Sequence, residues 1–126
     1  IEQLFERASK RTGIPMEIDM SESLSVHDPA ARIITFHLIR ESLTNAVRHA
    51  EATRMKLHMF EENDHVIMQF IDNGKGLSAT TQQQPSLGVL SMKNRAALIN
   101  GTFEIKPAPD NGTIVEFRFP NKANKL

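Results

Sequence analysis

Ile1, Leu4, Phe5 and Ala8 recur at helical spacing, and Gly13 stands where a C-terminal cap belongs, so the chain is expected to open with a short helix. Pro15 to Met20 alternates apolar and polar side chains, the period of a strand. Ser21 to Pro29 is polar and turn-like, with Pro29 suited to the first position of a helix. That second helix is expected from about Ala30 to His49, with apolar side chains at Ile33, Ile34, Phe36, Leu38, Ile39, Leu43, Ala46 and Val47.

Two strands follow. Met55, Leu57 and Met59 alternate with Arg54, Lys56 and His58, which predicts one buried and one wet face. Val66 to Ile71 is apolar on both faces apart from Gln69, the mark of a central strand, and Glu62-Asn63-Asp64 supplies a hairpin turn. No charged residue occurs from Leu77 to Met92, and the stretch Thr80 to Ser86 has no periodicity, so a long loop is expected there. A third helix is predicted from about Leu87 to Ile99, ended by Asn100-Gly101. Gly101 to Lys106 and Gly112 to Phe119 form a second hairpin, with Pro107 and Pro109 in its connection.

The order α-β-α-β-β-α-β-β has no regular βαβ repeat. It predicts an α/β (α+β) two-layer sandwich, a mixed sheet covered by helices on one face. No glycine-rich loop joins a strand to a helix in the way a Rossmann or P-loop fold requires.

Composition narrows the function classes. A length of 126 residues, 40% hydrophobic and 24% charged, suits one globular domain. With 15 basic against 15 acidic side chains the net charge is zero, which argues against broad electrostatic binding to nucleic acid or anionic membrane. The absence of cysteine excludes disulfides, thiolate metal sites and a cysteine nucleophile. No apolar run approaches the ~20 residues of a membrane span, and with Ile1 rather than Met at its start the chain reads as a soluble piece of something larger.

Three polar clusters carry candidate chemistry. On the second helix Glu41 and Asn45 are four residues apart and project from the same side, with His37, Arg48 and His49 extending the stripe. Any amphipathic helix has such a face. Around Asn45, however, Thr44, Ala46 and Ala50 are small, and its neutral carbonyl oxygen suits Mg²⁺ that keeps most of its shell as water and phosphate. After the central strand comes Asp72-Asn73-Gly74-Lys75-Gly76, which an ordinary turn would also use. A carboxylate at a strand end with glycines beside it can instead accept a hydrogen bond from an adenine amino group, and it would repel the acceptor oxygen of guanine. Third, Gly88 opens the third helix, where free backbone N–H groups and the helix dipole suit phosphate oxygens.

In this order, E-x-x-x-N on a helix, D-x-G-x-G after a strand, a glycine opening a helix and Gly112-Thr113 before a final strand together resemble the GHKL (Bergerat) ATP-binding fold. Within it the chain is similar to the catalytic ATP-binding domain of bacterial sensor histidine kinases. Arg40 to Ala50 resembles the N box of the subfamily paired with LuxR/NarL-type response regulators, and Leu90 to Ala96 resembles that subfamily's second glycine box. The resemblance runs from about Arg11 to Pro120.

It implies a mostly antiparallel sheet under three helices and, residue by residue, a set of roles. Asn45 would bind Mg²⁺ on the triphosphate, Glu41 would polarise or orient the attacking nucleophile, and Arg48 and His49 would lie near phosphates or ribose. Asp72 would contact the adenine amino group, with Gly74 and Gly76 shaping the base pocket. Gly88 would admit the phosphates, Thr113 would support the adenine through its hydroxyl, and residues 77–87 would be a short ATP lid. Two positions depart from the family: Ser86 stands where a glycine is usual, and Asn100-Gly101 replaces a glycine pair.

The implied activity is transfer of the γ-phosphoryl group of Mg-ATP to a histidine on a dimerisation and phosphotransfer helical domain outside this chain. A response regulator would receive it next, with no direct role for nucleic acid. The domain would be cytoplasmic, in a parent protein anchored in the bacterial inner membrane. His27-Asp28 has the His-Asp start of an acceptor motif, but it falls in a polar loop rather than on an upstream dimerisation helix. Two alternatives stay open: an anti-sigma-factor-type serine kinase of the same fold, and a non-catalytic nucleotide-sensing or protein-interaction module.

Overall fold

The computed structural model describes residues 2–21, 24–49, 53–74, 87–108 and 112–121. Its elements are α1 (Glu2–Thr12), β1 (Met16–Met20), α2 (Pro29–His49), β2 (Met55–Glu62), β3 (His65–Asp72), α3 (Leu87–Leu98), β4 (Thr102–Pro107) and β5 (Thr113–Pro120). The strands form one sheet in the order β1-β2-β3-β5-β4. β1 pairs with β2 in parallel, across the α2 crossover, and every other pair is antiparallel. The expected order of elements and the two-layer sandwich are therefore both present, with β3 at the centre of the sheet as its doubly apolar sequence predicts.

Local signals explain most boundaries. Gly13, with φ at +75°, ends α1, and its N–H donates to the Ser9 carbonyl. Asp28 caps α2: its Oδ1 accepts the Ala30 N–H at 2.9 Å, and Pro29 takes the first helical position. That capping bond gives the His27-Asp28 pair a local structural role. Asn63 and Asp64, with φ of 52° and 62°, make a two-residue hairpin turn whose backbone twist matches its strands. Asn100 ends α3 in the left-handed conformation, φ 58°, so the departure from a glycine pair is accommodated.

Register sorts the sheet into two faces. Toward the helices point Met55, Leu57 and Met59 of β2, Val66, Met68 and Phe70 of β3, and Val115, Phe117 and Phe119 of β5, all buried. Ala31, Leu38, Ile39 and Leu43 of α2, with Met92 and Ala96 of α3 and Ala8 of α1, close the core over them. Ile33 and Phe36, counted among the apolar positions of α2, lie on its outer side, 59% and 38% exposed. The buried stripe instead follows Ala31, Thr35, Leu38, Ser42 and their neighbours one turn apart. Pro107 belongs to β4 rather than to the connection; β4 is an edge strand, where a missing N–H is tolerated.

The opposite face carries a polar network. Glu116 accepts hydrogen bonds from Gln69 and from Lys106, both at 3.0 Å, and Lys106 also lies 3.4 Å from Glu104. Burial alone would raise the Glu116 carboxyl, but the bonds from Gln69 and Lys106 outweigh it and hold it below its ordinary value. The same bond raises the Lys106 ammonium above its own.

Two expectations concern stability. Gly112 packs so closely on β3 that a methyl group there would run into the Asp72 carbonyl and stand 2.9 Å from Asn73 Cα, whereas one at Gly13 would meet open space. Denaturant titration is expected to show Gly112→Ala losing roughly 3 kcal/mol through forced backbone movement, and Gly13→Ala only about 1 kcal/mol for its left-handed φ. Because the Glu116 pKa is lowered on folding, its contribution is present at neutral pH and lost as pH falls through that lowered value. Glu116→Ala is therefore expected to cost about 0.5–1 kcal/mol at pH 7, with the difference from the parent vanishing in acid.

Candidate functional site

The helix-facing side of β3 runs Val66, Met68, Phe70 and then Asp72, so a strand that is apolar for three inward positions ends on a carboxylate. Asp72 is only 5% exposed. Its register partners are Met55 on β2 and Thr113 on β5, which places it at the end of the sheet between two neighbouring strands. The carboxylate accepts the Gly74 N–H at 2.8 Å and the backbone N–H of Thr113. Loss of hydration raises its pKa; the two N–H bonds oppose that effect without cancelling it. A carboxylate has about four lone-pair sites. The bonds described here use two, so Asp72 keeps capacity for a donor arriving from the helix side.

Asp72, Gly74 and Thr113 are thus brought together. Gly112 belongs with them, because its missing side chain is what lets β5 lie against the Asp72 carbonyl. Sequence alone places Gly112 only in a Gly-Thr pair before a strand; the contact it makes possible is 40 residues away in the chain and follows from the pairing of β3 with β5.

The remaining candidate residues, Gly76 apart, lie on α2 and α3. The α2 helix packs on β3 and on α3, over the sheet face toward which Asp72 points. Glu41 is half-buried on it, and Asn45 follows one turn later along the same helix. The backbone of Asn45, Arg48 and His49 forms its last two turns, while their side chains lie outside the described residues. Gly88 is the second residue of α3, whose first turn carries no acidic side chain, so its N–H groups meet no competing carboxylate from within the helix. Gly76 and the expected lid, apart from Leu87, lie outside the described residues.

The chemistry of these groups suits a purine nucleotide bound between sheet and helices: an inward acceptor for the base, and a helix bearing Glu41 and Asn45 for the phosphate end. Among the described residues there is no cluster of three or more His, Asp or Glu that could hold a metal ion. Mg²⁺ that takes one or two protein oxygens and completes its shell with phosphate and water is compatible with the pair on α2.

One further side chain gathers around Asp72. Asn73 Oδ1 accepts the backbone N–H groups of both Thr53 and Arg54 at 2.9 Å, and its Nδ2 donates to Thr53 Oγ1 at 2.9 Å. Its sequence context, Asp-Asn-Gly, signals only a turn.

Comparison with known proteins gives the family and the fold. Residues 31–123 match the family described as histidine kinase-, DNA gyrase B-, and HSP90-like ATPase. The chain is 33% identical over 85 residues, 68% of its length, to the sensor protein VraS of Staphylococcus aureus, and the match spans 24% of that relative. The chain thus covers about a quarter of the length of the curated relatives it matches. Among solved structures, the catalytic domain of histidine kinase ThkA superposes with a TM-score of 0.79 at 17% identity, over 97% of this chain and 89% of that one. The Acinetobacter baumannii histidine kinase AdeS gives 0.78 at 17% identity, over 96% and 62%. With a family match over most of its length, the chain belongs to the histidine kinase-, DNA gyrase B-, and HSP90-like ATPases.

Proposed function

We propose that residues 1–126 form a single catalytic domain, with an ATP lid at about 77–87, that binds Mg-ATP and donates its γ-phosphoryl group to a histidine on a separate helical dimerisation domain. The observation that carries this reading is Asp72: a desolvated carboxylate at the inner end of β3 with two backbone donors already in place. It serves as acceptor for the adenine amino group, with Gly74 and Gly76 against the base and Thr113 supporting it. Asn45 would hold Mg²⁺, which when bound neutralises charge on the triphosphate. Arg48 and His49 attend the phosphates or ribose, and the N-terminus of α3 at Gly88 receives phosphate oxygens.

Transfer itself asks mainly for positioning. The partner's imidazole nitrogen attacks the γ-phosphorus in line, the bond to the β,γ-bridging oxygen breaks, and ADP leaves. Glu41, one turn before Asn45, orients that imidazole. The phosphate then passes to an aspartate of a response regulator. Arg40 to Ala50 and Leu90 to Ala96 favour a LuxR/NarL-type regulator as the recipient. The domain would work on the cytoplasmic side of a membrane-anchored parent. No described helix is long and apolar enough to cross a membrane.

Titration with a fluorescent ATP analogue tests the nucleotide reading. Asp72→Asn replaces a charged acceptor, and removing a charge-assisted hydrogen bond of about 1.5–3 kcal/mol predicts a loss of roughly 10- to 100-fold in affinity. Unchanged affinity would refute the assignment of Asp72.

The raised pKa of Asp72 gives a pH test with a definite sign. A donor from the base favours the ionised form, so binding releases a proton and affinity falls as pH drops through the raised value, from a higher pH than an ordinary aspartate would show. Asp72→Asn should flatten that profile. The same shift means the folded, nucleotide-free domain holds the Asp72 proton more tightly than the unfolded chain does. Ionisation then opposes folding as pH rises, and at neutral pH the Asn variant is expected to melt at a higher temperature than the parent.

Glu41→Gln separates binding from transfer. It is expected to retain nucleotide affinity while slowing phosphorylation of an added helical domain by about 10²- to 10⁴-fold, measured with γ-labelled ATP.

A further inference from the structure

We infer that Asn73 is a positioning residue for nucleotide binding, a clamp that holds the strand end bearing Asp72 at a set distance from the exit of the helix bearing Glu41 and Asn45. This rests on the nucleotide reading above and adds to it a residue that touches neither base nor phosphate.

The two residues at the end of β3 divide the local hydrogen bonding between them. Asp72 makes the short-range turn contact, accepting the N–H of Gly74 two residues on. An asparagine whose only task was the turn would bond its own neighbourhood in the same way. Asn73 instead reaches across 19 and 20 residues of sequence: one oxygen receives two consecutive backbone N–H groups, from Thr53 and Arg54, and the amide nitrogen returns a bond to the Thr53 hydroxyl. Its own N–H donates to the Arg54 carbonyl at 3.3 Å, which continues the β2–β3 ladder one step beyond the Met55–Asp72 pair.

The location of Thr53 and Arg54 gives the clamp its consequence. They belong to the connection between His49, where α2 ends, and Met55, where β2 begins. Holding them against Asn73 fixes the lead-in to β2, a few residues after the end of α2, beside the end of β3. On the other flank, Gly112 lets β5 press against the Asp72 carbonyl. The strand end is thereby gripped from both neighbours, by backbone contact toward β5 and by a carboxamide toward β2. A ligand with its base at Asp72 and its phosphates at α2 spans two elements, and it binds best when their separation is set beforehand. Asn73, Thr53 and Arg54 are all exposed, where a single hydrogen bond adds little to global stability; one side chain making three of them at one junction suits local geometry better.

The test is a double-mutant cycle read with ATP and with adenosine, which engages the base end alone. Asn73→Ala is expected to weaken ATP about tenfold, within the range of residues acting through one another, and adenosine by no more than about twofold. Combined with Asn45→Ala it should add little to the loss from Asn45→Ala alone, because separation ceases to matter once the phosphate-end ligand is gone. Asn73→Asp keeps the oxygen that accepts both N–H groups, and the Thr53 hydroxyl can reverse to donate, so this variant should recover most of the ATP affinity. Equal losses for ATP and adenosine, full additivity with Asn45→Ala, or unchanged ATP affinity in Asn73→Ala would each overturn the inference. If Asn73→Ala does not fold, Thr53→Val, which removes only the hydroxyl contact, takes its place with a smaller loss in the same direction. Asp72→Asn is titrated alongside: if it too leaves ATP affinity unchanged, the nucleotide reading falls and the clamp with it, whereas a loss there with none in Asn73→Ala removes the clamp alone.

Discussion

Removing a carboxylate from water is expensive, and this domain does it at the inner end of its central strand, where three apolar side chains precede Asp72 on the same face. Two backbone N–H groups recover part of the lost hydration, but the pKa stays raised, so the group remains under-solvated in the folded protein. Such a carboxylate is held in a state that a further donor improves. The close packing of Gly112, the bond from Gly74 and the remote bonds of Asn73 all converge on the few residues that keep it there.

The rest of the fold makes that placement possible. β3 is flanked on both sides and covered by α2, so its inner row is buried along its whole length, and the alternation of the strand carries Asp72 inward with Phe70 and Met68. α2 in turn is started by Asp28 and Pro29 and held by a stripe of buried positions on the sheet side. The outer face of the sheet is stabilised separately, by the Gln69, Lys106 and Glu116 bonds.

Far from the site, Asn121 shows a similar use of a carboxamide. Buried at the end of β5, it accepts the His27 N–H at 3.1 Å and donates to the Ser25 carbonyl and to Glu61. Its backbone N–H donates to the Asp64 carbonyl in the β2–β3 hairpin. The segment leading into α2 is therefore tied to the opposite end of the sheet from Asp72, while Asn73 ties the segment leading out of it to the near end. Both carboxamides act on connections rather than on elements.

What could be read from the chain alone is whatever repeats over a few residues or sits at a cap. Alternation marked β2 and its buried face, the doubly apolar run marked β3 as central, and Gly13, Pro29 and Asn100-Gly101 marked helix ends. The spaced motifs around Glu41, Asn45, Asp72 and Gly88 pointed to ATP through their resemblance to one family. Tertiary structure decided the rest. Which side of α2 is buried depends on the sheet beneath it, so Ile33 and Phe36 face outward although their spacing permits either side. Pro107 is acceptable in a strand only because that strand is an edge. Asn73 and Gly112 owe their roles to partners 20 to 40 residues distant, brought close by strand pairing. Hydrophobic period and capping are local properties of a sequence, whereas contact across a sheet exists only after the chain has closed on itself.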